Sequence, residues 1–512
     1  MIPAAQEWFV GGLVLRLDAD GTVDVRLSAG GSALVARAGD LAVETGGSAL
    51  HLGPARVEVD VDEIEVTHEG AGLRTLVRHS FEQGWTLRVV LTSTAQEELR
   101  LDRVHLGVRS AEGTTMSALA AGAQAAYALQ PAAGDGPVLV GRLRSGTQTT
   151  VDEDGLELGP LVLAPGHRWA AQWRWEVVSS ARHVDPAGTL PRTPWLELND
   201  VVVLPGGPDV AVVAPGLEVD QEDDAVRLEA FQPTTSTVEL RSARGTSTYA
   251  LTWVPSLDDL VDVEVEALLA GPTTPAGTAR LPDAAAALLV QDALRRRAVP
   301  GPDAAAEALE LAAGLLLDEL GPDEPGDPFT TALLAREADT DHGPGARATL
   351  DAARRAVLAT REPVCGTGLA GVAVALAEVR SGAGGDAVVA HLAALRGRLV
   401  PADRAGLELA VLLGAGPEVV EPALRRLGAR LGAGLPGRTL PEADLEELAH
   451  AATLLALVDE ATGLRLQQVW GVTTSELARR ASAEVRARTA AQDDPLAARR
   501  ALAWLVLGSP AV

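Results

Sequence analysis

The stretch Arg336-Glu337-Ala338-Asp339-Thr340-Asp341-His342-Gly343 gathers three carboxylates and an imidazole within six consecutive positions. Carboxylates beside a histidine are the groups that general acid–base chemistry or a bound metal ion would use. The run follows an apolar helix read over residues 329–335 and enters a glycine-proline turn, so it reads as a helix-end loop. A polar helix end explains the same residues without chemistry. Glu337, Asp339, Asp341 and His342 are nonetheless the catalytic candidates of this chain. Nothing calls for a cofactor, and no metal ligand set is assigned. Glycoside hydrolysis would need two carboxylates placed across a sugar-binding cleft, a separation that spacing along the chain does not supply.

Two other stretches hold residues of chemical interest. Cys365, the only cysteine, sits in Pro363-Val364-Cys365-Gly366-Thr367-Gly368 just before an apolar helix over residues 369–379. A helix N-terminus favours a thiolate and makes a nucleophile conceivable. No histidine neighbours it in sequence, and helix-start packing accounts for it. The Gly366-Thr367-Gly368 turn is no phosphate loop, because G-x-x-x-x-G-K-[ST] occurs nowhere and the chain has no lysine to complete one. On the strand over 168–178, Trp169, Trp173 and Trp175 share one face, which would suit either a stacking platform for sugar rings or the interior of a sandwich. Large aromatics on one strand face are usually core, and the indoles of Trp173 and Trp175 are expected inside. Asp18-Ala19-Asp20-Gly21 reads as a hairpin turn rather than a calcium loop, since the ligand positions that follow are apolar or threonine.

Composition narrows the partners. The chain has 512 residues, 47% of them hydrophobic and 22% charged, with a formal net charge of −27. Such acidity opposes binding to phosphate backbones, so nucleic acid and anionic membrane surfaces are not expected partners. Every basic residue is arginine, which fits the codon usage of a GC-rich genome or, alternatively, a high-salt cytoplasm. Apolar runs fall short of the roughly 20 residues needed to cross a bilayer. The N-terminal segment lacks a basic stretch followed by an apolar one, and a single cysteine suits a reducing compartment. The expected location is cytoplasmic.

The elements that must position these residues change type along the chain. Of the fifteen aromatic residues, only Phe329, Trp470 and Trp504 lie beyond residue 283. Up to about Val178 the sequence alternates apolar and polar positions in short runs broken by glycine and aspartate, the period-two signal of half-buried strands. This predicts a large antiparallel sandwich over residues 1–185. After a proline-rich joint, short strands over 190–256 predict a small immunoglobulin-like sandwich. An acidic stretch at 258–266 and a glycine-proline linker then precede an all-helical domain over 283–512, with about eleven helices forming an α/α-toroid or an array of helical hairpins.

That order, a large sandwich and then a helical array, resembles glycoside hydrolases and phosphorylases that carry a β-supersandwich before an α/α barrel. Residues 163–177, where the Pro165-Gly166 turn precedes the aromatic strand, are similar to the late strands of a galactose-mutarotase-like sandwich. Residues 225–255, with Val238-Glu239-Leu240-Arg241, are similar to the last strands of an immunoglobulin-like module. The resemblance implies a carbohydrate-active-enzyme-like protein, a glycoside hydrolase or phosphorylase or a degenerate relative, with a saccharide as partner. Two features depart from it: the helical half has only three aromatics and short connections, and it offers no carboxylate motif of that family. The alternative is a non-catalytic binding or scaffold protein with a protein or saccharide partner. An enzyme acting on an apolar substrate in a helical toroid fits least, since it would want an aspartate-rich metal motif.

Overall fold

The computed structural model describes residues 6–508 apart from 19–20, 29–33, 83, 135, 152–154, 186–189, 208, 243–244, 322–323, 341–343, 399–402, 434, 436–443 and 492–493. Two compact units emerge. One runs to Trp253 and takes back the chain from Arg425 and at Gln468–Val472; the other holds most of the chain from Val254 onward.

In the first unit the alternation seen in the sequence becomes antiparallel sheet. Trp85–Ser93 buries every second side chain without exception, as a strand with one face on a core must. Leu13–Leu17 and Val23–Leu27 pair as the expected hairpin, closed by the Asp18 N–H to the Thr22 carbonyl at 2.9 Å. Among the described residues there is an eight-stranded sheet and a twelve-stranded sheet. The core lies between them, with Leu15, Val25, Val104 and Leu106 from the first facing Ile64, Leu87, Leu91 and Trp173 from the second. The expected large sandwich is present. The short strands that follow residue 190 surround a core of their own, with Leu204, Leu228, Val238 and Trp253. Their sheet is nonetheless continuous with the large one, because Gly245–Trp253 pairs with Thr234–Ser242 on one edge and with Thr114–Gly122 on the other, through Ala121 and Gly122.

The indoles of Arg168–Val178 point inward: Trp173 and Trp175 are at most 1% exposed, and Trp169 is half-buried against the same core. Trp173 donates its Nε1 proton to Gln148 Oε1 at 2.8 Å. Trp175 stacks on Trp85 at 4.5 Å and meets Tyr127 edge-on at 4.7 Å. These two side chains form no platform open to a sugar. Trp85 in turn donates its Nε1 proton to His79 Nδ1 at 3.2 Å, which fixes the buried imidazole as neutral, with its proton on Nε2.

The second unit is helical. Thirteen helices are present among the described residues: α1 Leu257–Leu269, α2 Ala284–Arg296, α3 Pro302–Glu319, α4 Pro328–Thr340, α5 Pro344–Ala359, α6 Thr367–Arg380, α7 Asp386–Arg396, α8 Arg404–Leu412, α9 Pro417–Arg430, α10 Leu445–Ala456, α11 Glu460–Trp470, α12 Thr474–Ala490 and α13 Pro495–Gly508. Neighbours pack in the order α2, α4, α6, α8, and α13 packs on both α10 and α2.

Three local expectations change. The acidic stretch at 258–266 is not a connector but α1, whose N-cap Ser256 accepts the Asp259 N–H and whose Val261, Val265 and Leu268 are buried. Acidic residues in a first turn favour the positive end of the helix dipole, which is why this stretch folds. Helix α3, for which Asp303 after Pro302 reads as the N-cap, starts two residues earlier, with Gly301 as N-cap, Pro302 at the first position and Asp303 in the first turn. Helix α4 continues to Thr340, because Arg336, Glu337 and Ala338 are good helix formers and no breaker occurs before Gly343.

Trp173→Ala should destabilise the first unit by about 3–5 kcal/mol, as a large-to-small core change, read as a lower denaturation midpoint. His79 gives a pH test. Burial pushes it down to about 3, whereas in the unfolded chain it titrates near 6.5. The unfolded state therefore binds the extra proton between these values, and stability, complete above pH ~6.5, falls as pH drops by up to about 1.4 kcal/mol per unit from this group. Urea titrations between pH 7 and 5 should show that slope, and His79→Leu should flatten it.

Candidate functional site

The sequence cluster 337–342 is divided by the fold. Glu337 and Asp339 lie within α4 and not on a loop, while Asp341 and His342 lie outside the described residues. Residues two apart on a helix project about 200° from each other, so these two carboxylates do not face one point. Glu337 accepts a hydrogen bond from Gln291 Nε2 on α2. Asp339 turns the other way and pairs with Arg380 at the end of α6.

Asp339 lines a cavity of about 630 Å³ between α4, α5 and the C-terminal end of α6. Arg347, Asp351 and Arg354 of α5 enter it from one side, and Glu378 and Arg380 of α6 from another. Its walls carry no aromatic side chain, and alanines, Leu350 and a Gly382-Ala383-Gly384 turn make up most of the remainder. Glu378 is the least solvated of these groups at 4% exposure; Arg354 Nε lies 3.1 Å from its Oε1, while Oε2 has no hydrogen-bond partner. A buried carboxylate oxygen without a donor is costly and invites a ligand hydroxyl or a water. The cavity thus offers guanidinium forks and a desolvated acceptor, the apparatus for polar and anionic groups.

A second cavity of similar size, about 630 Å³, lies in the first unit beside Leu34–Thr45 and includes His51, His68 and Arg109. His68 Nδ1 is engaged by the Gly53 carbonyl at 3.0 Å, and Arg37 on its wall is held by Asp18 and Asp24. Among the described residues no group of three or more His, Cys, Asp and Glu side chains has the arrangement of a metal site.

Cys365 stands elsewhere in the helical unit, half-buried at the start of α6. Its surroundings add a histidine that sequence order does not bring near. His450 of α10, remote in sequence, is beside it, and His450 Nε2 meets Glu408 Oε2 of α8 at 2.6 Å. The same carboxylate accepts the Gly366 N–H at 2.6 Å and the Leu369 N–H at 2.9 Å, so it also serves as the cap of α6. Burial by itself lowers the basicity of His450, but the hydrogen-bonding and charged surroundings of Cys365 and Glu408 overcome it and raise the imidazole to about 9. His450 lies on the opposite side of α10 from Leu445, Leu448, Ala452 and Leu455, so the spacing of the apolar residues gave no signal of its burial.

No protein-family model and no curated protein matches the sequence. Among solved structures the chain is similar to a polysaccharide lyase, with a TM-score of 0.69 at 10% identity, over 92% of this chain and 92% of that one. The chain shares that protein's fold. A glycoside hydrolase family 81 protein from Clostridium thermocellum aligns over 98% of this chain and 84% of its own at 8% identity, but its TM-score of 0.25 carries no weight. The β-then-helical plan read from the sequence is thus the fold that this polysaccharide lyase also has.

Arg354→Met should lower stability by about 2 kcal/mol, because it leaves a buried carboxylate without its cation. Arg354→Met combined with Glu378→Met should lose less than the single change, and a double-mutant cycle in urea would read the difference.

Proposed function

We propose that this is a carbohydrate-active-enzyme-like protein whose helical unit binds an anionic saccharide in the cavity of Asp339, Arg347, Arg354, Glu378 and Arg380. The observation that carries this reading is the cavity's lining: the guanidiniums of Arg347, Arg354 and Arg380 set among the carboxylates of Asp339, Asp351 and Glu378, and no aromatic ring to stack on a neutral sugar. Guanidinium forks match carboxylates bidentately, so a uronate is the sugar such a site favours. The lyase-like fold supports the same direction as an analogy of fold.

Within that class the lining supports elimination better than hydrolysis. Hydrolysis asks for two carboxylates free to handle protons and water. Asp339 and Glu378 are both ion-paired with arginines. Elimination beside a uronate carboxylate asks for cationic groups on that carboxylate and a single base. The same ion pairs favour, as a second reading, a site that binds without turning over. Of the sequence cluster, Asp339 is the member that we place in the site.

Binding of uronate-containing and neutral polysaccharides, measured by calorimetry, should favour the former. Arg347→Ala, on an exposed position, should weaken that binding about tenfold or more without loss of stability, in keeping with one charge-assisted contact. Release of an unsaturated uronate, followed by its ultraviolet absorbance, would separate lyase from binding protein. Equal affinity for neutral and acidic chains would sink the anionic-saccharide reading.

A further inference from the structure

Helix α6 carries the cavity at its C-terminal end and Cys365 at its N-terminal end, and at 1.5 Å per residue these lie about 20 Å apart. The two places are chemically independent. What stands at the N-terminal end is a nucleophile, a base and an orienting acid, the three roles of thiol catalysis.

The parts are held firmly. Glu408, 1% exposed, receives two backbone N–H groups and His450 Nε2, which leaves it no freedom to turn. His450, also 1% exposed, rests edge-on against Trp504 at 4.9 Å. With Nε2 committed to Glu408, the buried Nδ1 has no well-aligned hydrogen bond, and Cys365 is the other polar group that acts on the ring. A structural imidazole normally has both nitrogens satisfied. The local backbone is shaped for this approach. Gly366 sits at φ +94, where a Cβ would come within 2.5 Å of Trp504, and a Cβ on Gly368 would come within 2.8 Å of Glu408 Oε1. The Cys365 loop is thereby pressed onto α8 and α13, while Cys365 stays half-buried and Val364 before it is 58% exposed.

We propose that Cys365, His450 and Glu408 form a second centre, a thiol nucleophile that attacks the carbonyl carbon of a small ester or thioester. With the thiol proton already resting on His450, Cys365 Sγ forms the bond to the carbonyl carbon, His450 gives that proton to the departing alcohol or thiol, and the carbon–leaving-group bond breaks. Water then splits the acyl-cysteine, releasing the acid and restoring the thiol. Glu408 is the positioning residue that holds the imidazole.

The probe is p-nitrophenyl acetate with the full-length protein. A stoichiometric burst of p-nitrophenolate is expected, with the acetyl group found by mass spectrometry on the peptide that contains Cys365, and Cys365→Ser abolishes both. His450→Gln should slow the burst by ~100-fold, the scale of a lost general base. Glu408→Gln should slow it with unchanged amplitude and move its pH profile, whereas a purely structural role would lower amplitude along with the folded fraction. Should these variants not fold, alkylation decides: native Cys365 must react with iodoacetamide faster than the same cysteine in the urea-unfolded chain at equal pH. A burst that survives Cys365→Ser, or native alkylation no faster than unfolded, overturns the proposal.

Discussion

Taking a carboxylate out of water costs several kcal/mol unless its lone pairs are met by donors. Glu408 is almost wholly buried and meets that cost with two backbone N–H groups of one helix start and an imidazole from another helix. Three helices that are distant in sequence, α6, α8 and α10, thus share one charge, and their relative placement is fixed by directed bonds as well as by side-chain volume. This matters because much of the helical core is alanine and leucine, as at Ala284–Leu289 and Ala451–Leu455. Such side chains provide little directional preference of their own. The buried carboxylate supplies a register that apolar packing leaves loose.

The same economy recurs with arginine in the role that lysine shares elsewhere. Arg296 joins Asp258, Asp262 and Asp292, and Arg499 joins Glu264 and Asp283, linking α13 with α1 and the start of α2. A planar fork can serve two acids at once, which suits a chain with many more acids than bases. In the α4–α6 cavity three guanidiniums and three carboxylates line open space, and that opening is what distinguishes it from the structural networks.

Much of this architecture could be read from residue order. Alternation in Trp85–Ser93 and the Trp173/Trp175 face determined both strand and core side, because one face of a strand must leave water. The apolar spacing of Leu445, Leu448, Ala452 and Leu455 after Pro441 was equally legible, and all four are buried. Boundaries governed by competing tendencies were not: the acids of α1 read as a linker although they stabilise a helix start, and α4 ran on past Ala335. The thiol cluster was opaque for a different reason. Cys365, Glu408 and His450 are separated by more than forty residues at each step, and only the order in which helices pack brings them together. Spacing arguments reach one helix turn, and this constellation spans three helices.

The distribution of indoles has an optical consequence. Of nine tryptophans, eight belong to the first unit and only Trp504 to the second. Fluorescence and near-ultraviolet dichroism therefore report on the sheets, where the stacked Trp85 and Trp175 add a coupled signal, while far-ultraviolet helical ellipticity reports on the other unit. The chain carries two nearly separate spectroscopic channels without any label. Trp504, lying edge-on to His450, is the exception, the one indole placed in the helical unit.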